Sequence, residues 1–259
     1  MKRINLFAKG NVDVHDSLHS CRIGGELLWN GINDLLRTTD LGVTVRLRHE
    51  TMTRSDALLH SSGGVPPALV ERNLKLGAYP LESQFSRAIF ETTADAIILS
   101  VQPDVASGMR RHKAEGYFFY PSEVSSWSAD DKNWLNAQFD SVNRLTVADS
   151  MANLAAIAAK IRERSEAPIL IYNLSPVIAH ETIHCYLGLG ETLSTRIRRF
   201  NLGLAELSEE IGVSIVDVDT IVARHGADAL KIDAMHLTAK GYELVAREVV
   251  RVLDDLGLF

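Results

Sequence analysis

Five short apolar runs, spaced by stretches with helical periodicity, constrain the fold of this chain more than any other feature of its sequence. Ile4, Leu6 and Ala8 alternate as in a strand, with irregular continuation past Gly10 to Val14. Residues 43–47, 96–101, 168–172 and 213–218 supply four further runs rich in Val, Ile and Leu. Between them, residues 26–37, 146–164 and 194–211 carry apolar side chains every three or four positions. A last helix follows Thr238, an N-cap candidate, with Tyr242, Val245, Ala246, Val249, Val250 and Leu253 on one face. Strands alternating with helices predict an α/β three-layer sandwich around a five-stranded parallel sheet, whose ligands bind beyond the carboxyl ends of the strands.

The 259 residues, 46% hydrophobic and 23% charged, suit a single α/β domain spanning 1–259. Two stretches read as additions to it. Ser61 to Pro67 is a turn-rich loop. Residues 105–145 hold Tyr117, Phe118, Phe119, Tyr120, Trp127, Trp134 and Phe139, an insertion that either packs as a side lobe or covers an apolar pocket.

A net charge of −6 and a pI near 5.8 argue against nucleic acid and anionic membranes as partners. The first residues lack the apolar run of a secretory signal, and no stretch approaches the roughly 20 apolar residues of a membrane span. A cytoplasmic protein without a cofactor is the expectation. Cys21 and Cys185 form no metal-type pair and no disulfide framework. Cys21, near Ser17 but without a defined base, reads as structural.

Chemistry is suggested at the two ends of the chain. Asp233 and His236 sit three residues apart just before the last helix, where a carboxylate can fix the tautomer of an imidazole base. His15-Asp16-Ser17-Leu18 follows the first strand and offers a hydroxyl at a strand-to-helix junction, although Asp-Ser before a helix is also ordinary capping. Together, Asp16-Ser17-Leu18, Trp29 in the next helix and Asp233-x-x-His236 resemble the SGNH/GDSL hydrolases. That resemblance implies an acyl-serine enzyme acting on esters or thioesters, by hydrolysis or acyl transfer, with a small-molecule or carrier-bound acyl substrate. It assigns Ser17 as nucleophile, His236 as general base and Asp233 as the partner that orients His236.

The chain departs from the family pattern in three places. His15 stands where the first motif has glycine. Arg48-His49-Glu50-Thr51-Met52-Thr53-Arg54 occupies the region of the second motif, which supplies an oxyanion-hole glycine. Val101-Gln102-Pro103-Asp104 replaces Gly-x-Asn-Asp, with the asparagine position falling on Pro103. Gln102, Arg48 and Glu50 are therefore the candidate oxyanion and substrate contacts, a surface ion pair between Glu50 and Arg54 being the alternative for those two. A competing register places Gly10-Asn11-Val12 at the first motif and puts Val12 where the nucleophile belongs. The Asp-Ser-Leu match and its spacing to Trp29 favour Ser17.

A different chemistry competes at His180-Glu181-Thr182-Ile183-His184. On a helix this pattern turns two imidazoles to one face as zinc ligands, and Glu206 offers a third. His19, His49, His60, His112 and His225 have no partner spacing and read as surface or packing residues. A fold that kept its shape but lost catalysis, leaving a binding protein, is the third alternative.

Overall fold

In the computed structural model, residues 2–178 and 191–259 are described. Strand β1 (Lys2–Gly10) leads into a first helix, Val12–Leu18, and then into a hairpin of β2 (Cys21–Ile23) and β3 (Glu26–Trp29). After a short helix, Ile32–Arg37, come β4 (Val43–Thr51) and, past several short helices, β5 (Ala96–Ser100). The side lobe contributes β6 (Met109–His112), β7 (Phe118–Phe119) and β8 (Phe139–Val142). Helix Val147–Arg162, β9 (Ile169–Tyr172), helix Leu193–Ile211, β10 (Ser214–Val216), helix Val218–His225 and a closing helix, Ala239–Asp255, complete the order.

The central sheet runs β10-β9-β5-β1-β4, and every pairing within it is parallel. Successive side chains point to opposite faces, which splits the core in two. Ile4, Leu6, Ala8, Ile98 and Leu170 pack against the first and closing helices. Phe7, Ile97, Leu99, Ile169 and Ile171 pack against helices Val147–Arg162 and Leu193–Ile211. All six apolar positions read on the closing helix are buried, and Thr238 caps it by accepting from Gly241 N at 3.2 Å. The strand order places β1 between β4 and β5, so the direction of winding reverses beside β1. In sheets of this kind, ligands bind beyond the strand ends at such a reversal, here the carboxyl ends of β1 and β5.

One expected helix is only half present. Residues 26–29 are strand β3, paired antiparallel with β2 through a turn at Gly24 and Gly25, whose φ values of 59° and 89° suit a tight hairpin. Gly31, at φ 84°, then breaks the chain before helix Ile32–Arg37. A Cβ at Gly31 would lie 2.1 Å from His19 O, so no side chain fits there. Ile32, Leu35 and Leu36 are buried as their spacing implies, whereas Leu28 is exposed. Trp29 accordingly lies on a strand, not on the next helix.

The aromatic insertion packs as a side lobe. Its strands form a separate antiparallel sheet, ordered β7-β6-β8. Phe119, Trp127, Leu135 and Phe139 make a small core with Leu69, Leu76 and Phe85. Among the described residues, no helix is long and apolar enough to cross a membrane.

Candidate active site

The loop that precedes the closing helix is built to hold one imidazole. Lys231 and Leu237 form an isolated antiparallel bridge, and Ile232 N donates to His236 O at 3.0 Å, so residues 231–237 close into a tight turn. Within it, Asp233 Oδ1 accepts from the backbone N–H groups of Met235 and His236, both at 2.8 Å. Its Oδ2 lies 2.7 Å from His236 Nδ1. A carboxylate can only accept, so Nδ1 carries a proton, and in the neutral imidazole the lone pair lies on Nε2. Partial burial raises the Asp233 pKa, but the two N–H donors and the imidazole outweigh it, and the carboxyl is held below its usual range. Both side chains are about half exposed, so solvent reaches them.

Gln102 opens the short helix Gln102–Ala106 directly after β5. Its Nε2 donates to Met235 O at 3.3 Å, which brings the amide to the Asp233–His236 turn. Pro103 is the next residue in that helix and has no N–H to offer. Asp104 is buried and faces away, accepting from Ser55 N at 2.7 Å and from Ser150 Oγ at 2.5 Å. Burial raises its pKa. It ties three chain segments together beneath the site.

Ser17 is not brought to His236. The first helix begins at Val12 with Asn11 as its N-cap, so Ser17 lies in its last turn and faces inward. The hydroxyl has no exposed surface. It donates to Asp13 O at 2.7 Å, the usual back-bond of a helical serine, and also lies 3.1 Å from Tyr172 OH. No hydrogen bond joins it to His236. The reason is one of register. β1 runs to Gly10, and the strand-to-helix junction is Gly10-Asn11-Val12, which leaves a hydrocarbon side chain at the helix start. A Cβ at Gly10 would lie 2.4 Å from Val14 Cγ2, which accounts for the glycine. Trp29 Nε1 donates to Ser17 O at 3.0 Å and anchors the hairpin to the first helix.

Arg48 and Glu50 also have other duties. Both point to one side of β4, where Glu50 meets the buried Lys9 Nζ at 3.0 Å and Arg48 at 2.7 Å. Arg48 lies over the Phe7 ring at 5.0 Å. Burial raises the Glu50 pKa, yet Lys9, Ser86 and Arg48 outweigh it and hold the carboxyl below its normal range. Glu50 thus neutralises a buried ammonium, and no hydrogen bond connects the pair to the Asp233–His236 turn. The expected surface pair between Glu50 and Arg54 does not form either. Arg54 is fully buried and bonds Asp56 and Asn143 O instead.

His49 points the opposite way from its neighbours and gathers with two histidines that sequence spacing did not connect. Its Nε2 donates to Gly10 O at 3.1 Å, its ring lies 5.3 Å from that of His15, and His15 stacks on His19 at 5.0 Å. Burial and the neighbouring His15 push the His49 pKa down to about 4, so it is neutral near pH 7. The signal for this cluster is positional. His49 lies two residues before the end of β4, His15 and His19 follow the end of β1, and those strands are adjacent.

Of the zinc alternative, His180, Glu181 and His184 lie outside the described residues, as does Cys185. Glu206 is exposed on helix Leu193–Ile211. Among the described residues, no group of three or more His, Cys, Asp or Glu side chains is arranged to hold a metal. Cys21 is buried against the first layer of helices, and desolvation and Asp16 raise its pKa.

No family model matches the sequence, and no curated protein does. Solved structures do match. An acetylxylan esterase from Geobacillus stearothermophilus is similar with a TM-score of 0.53 and 11% identity, covering 96% of this chain and 93% of the other. An α/β hydrolase enzyme from the metagenome of Lake Arreo gives 0.52 and 14%, covering 96% and 94%. A member of the lipolytic G-D-S-L family from Veillonella parvula gives 0.50 and 9%, covering 96% and 98%. The agreement spans nearly the whole of each chain, at identities where only architecture is informative. The five-stranded parallel sheet flanked by helices agrees with it: the protein has the fold of the SGNH/GDSL hydrolases, in a form far diverged in sequence.

Proposed function

We propose that the protein cleaves ester bonds, or transfers the acyl group to an acceptor hydroxyl, with His236 as general base. The observation that carries this reading is the Asp233–His236 contact of 2.7 Å, at the end of the sheet where this architecture binds ligands, on a half-exposed imidazole whose Nε2 makes no hydrogen bond among the described residues. Ser17 is committed to the interior, so the attacking oxygen in this reading belongs to water or to an acceptor alcohol. His236 Nε2 takes its proton as the carbon–oxygen bond forms. The same proton passes to the leaving alkoxide as the ester bond breaks, and Asp233 stabilises the imidazolium in between. Gln102 supplies an amide N–H to the developing oxyanion, a donor worth roughly 3 kcal/mol where such groups have been removed.

Turnover of p-nitrophenyl acetate and related short esters tests the proposal. Hydrolysis by the wild type that is lost in His236→Ala supports it. Wild-type turnover no greater than that of His236→Ala would leave a binding protein on a hydrolase scaffold as the better reading.

A further inference from the structure

Lys231 stands at the entrance to the Asp233–His236 turn with its ammonium directed inward. Nζ donates to Ser175 O at 3.1 Å, to Val177 O at 2.5 Å and to Ala234 O at 3.2 Å. Three N–H donors thus meet three carbonyl acceptors, which is the full capacity of an ammonium. Two of the carbonyls belong to the segment after β9 and the third lies inside the turn, between Asp233 and His236. Gln102 bonds the adjacent carbonyl, Met235 O, from the end of β5. The turn is therefore pinned from two neighbouring strand ends through its own backbone.

We propose that Lys231 is a positioning residue for the base: by fastening Ala234 to the segment after β9, it holds Asp233 in line with His236 Nδ1 and so selects the His236 tautomer. The inference rests on the reading of His236 as the base, but its geometry does not require a substrate. A tautomer is set by the hydrogen bond that the other ring nitrogen makes, and catalytic groups tolerate little displacement. Three carboxyl groups face Lys231: Asp233 from its own turn, Asp219 from helix Val218–His225, and Asp13 across a cavity of about 20 Å³ lined by both residues. Burial lowers the Lys231 pKa, and Asp233 and Asp219 offset only part of that. Loss of the proton removes both the charge and one of the three donors.

The test is the ¹⁵N spectrum of histidine-labelled protein, which separates Nδ1–H from Nε2–H tautomers without any substrate. Wild-type His236 should be held as Nδ1–H, and folded Lys231→Met should shift toward Nε2–H. In a working ester assay, kcat of that variant should fall on the order of 10- to 100-fold with KM unchanged. Lys231→Gln, which keeps two N–H donors without the charge, serves if the methionine variant does not fold. The wild-type protein supplies a third readout, since its Nδ1–H population should decline as alkaline pH deprotonates Lys231. A wild-type tautomer in a folded variant, or one constant through that titration, overturns the proposal. Absence of ester turnover with the tautomer shift intact would count against the hydrolase reading alone.

Discussion

Ser17 Oγ and Tyr172 OH lie 3.1 Å apart in the interior, and neither residue has exposed surface. The contact joins the first helix to the carboxyl end of β9. It uses the hydroxyl that the Asp-Ser-Leu match assigns as a nucleophile. Burial raises the Tyr172 pKa, with Ser17 opposing, so the phenol is neutral and available to donate. Replacing Ser17 with alanine should therefore be a stability change: a loss of about 1–3 kcal/mol for stranding a buried partner, read by denaturant unfolding, with ester turnover retained. Loss of turnover at unchanged stability would restore Ser17 to the chemistry.

Asp233→Asn addresses the proposed base directly. Asparagine preserves the shape of the turn and can still accept from Met235 N and His236 N, but it cannot stabilise an imidazolium. Turnover should fall roughly 10²- to 10⁴-fold with the melting temperature little changed. A variant that retained wild-type kcat would show that the carboxylate is only a turn former.

Asp13 has one oxygen bonded to Ser100 Oγ and the other, Oδ1, buried without a partner. Burial raises its pKa, with Ser100 and backbone N–H groups opposing. A carboxyl whose folded pKa lies above its unfolded value, about 3.9, stabilises the fold only below that value. The contribution is lost as pH rises through the folded pKa, so at neutral pH Asp13 is a burden. Asp13→Asn, uncharged throughout, should raise the melting temperature at pH 7 by about 2–4 °C, the shift that roughly 1 kcal/mol produces in a domain of this size. The gain should vanish below about pH 4. An equal gain at both pH values would place the effect in packing instead of charge.

Gly31→Ala should destabilise the fold by at least about 1–3 kcal/mol, since φ is 84° and the new Cβ would meet His19 O. Thermal unfolding reads this, and an unchanged melting temperature would contradict the position assigned to the β2–β3 hairpin.

The strands were legible because residues such as Ile97, Ile98 and Leu99 are buried on both faces of a parallel sheet, and continuous apolar runs report that directly. The closing helix was legible because its buried positions recur at helical spacing behind a threonine cap. The hairpin was not, since Leu28 matches the helical period of Ile32 and Leu35 by coincidence, and only the backbone at Gly31 interrupts it. At the site, the Asp233–His236 contact was readable as a local motif. The place of Ser17 was not, because one turn of helix decides whether a hydroxyl faces a crevice or a core. The His15, His19 and His49 cluster depends on which strands are neighbours, which spacing along the chain does not encode.

In the proposed reaction His236, and not Ser17, is indispensable to ester cleavage. Side-by-side kcat measurements on one p-nitrophenyl ester for wild type, Ser17→Ala and His236→Ala test it most directly. The expected result is turnover that persists in folded Ser17→Ala and disappears in His236→Ala. Turnover abolished in folded Ser17→Ala, with wild-type Ser17 phosphonylated by a fluorophosphonate, would contradict it.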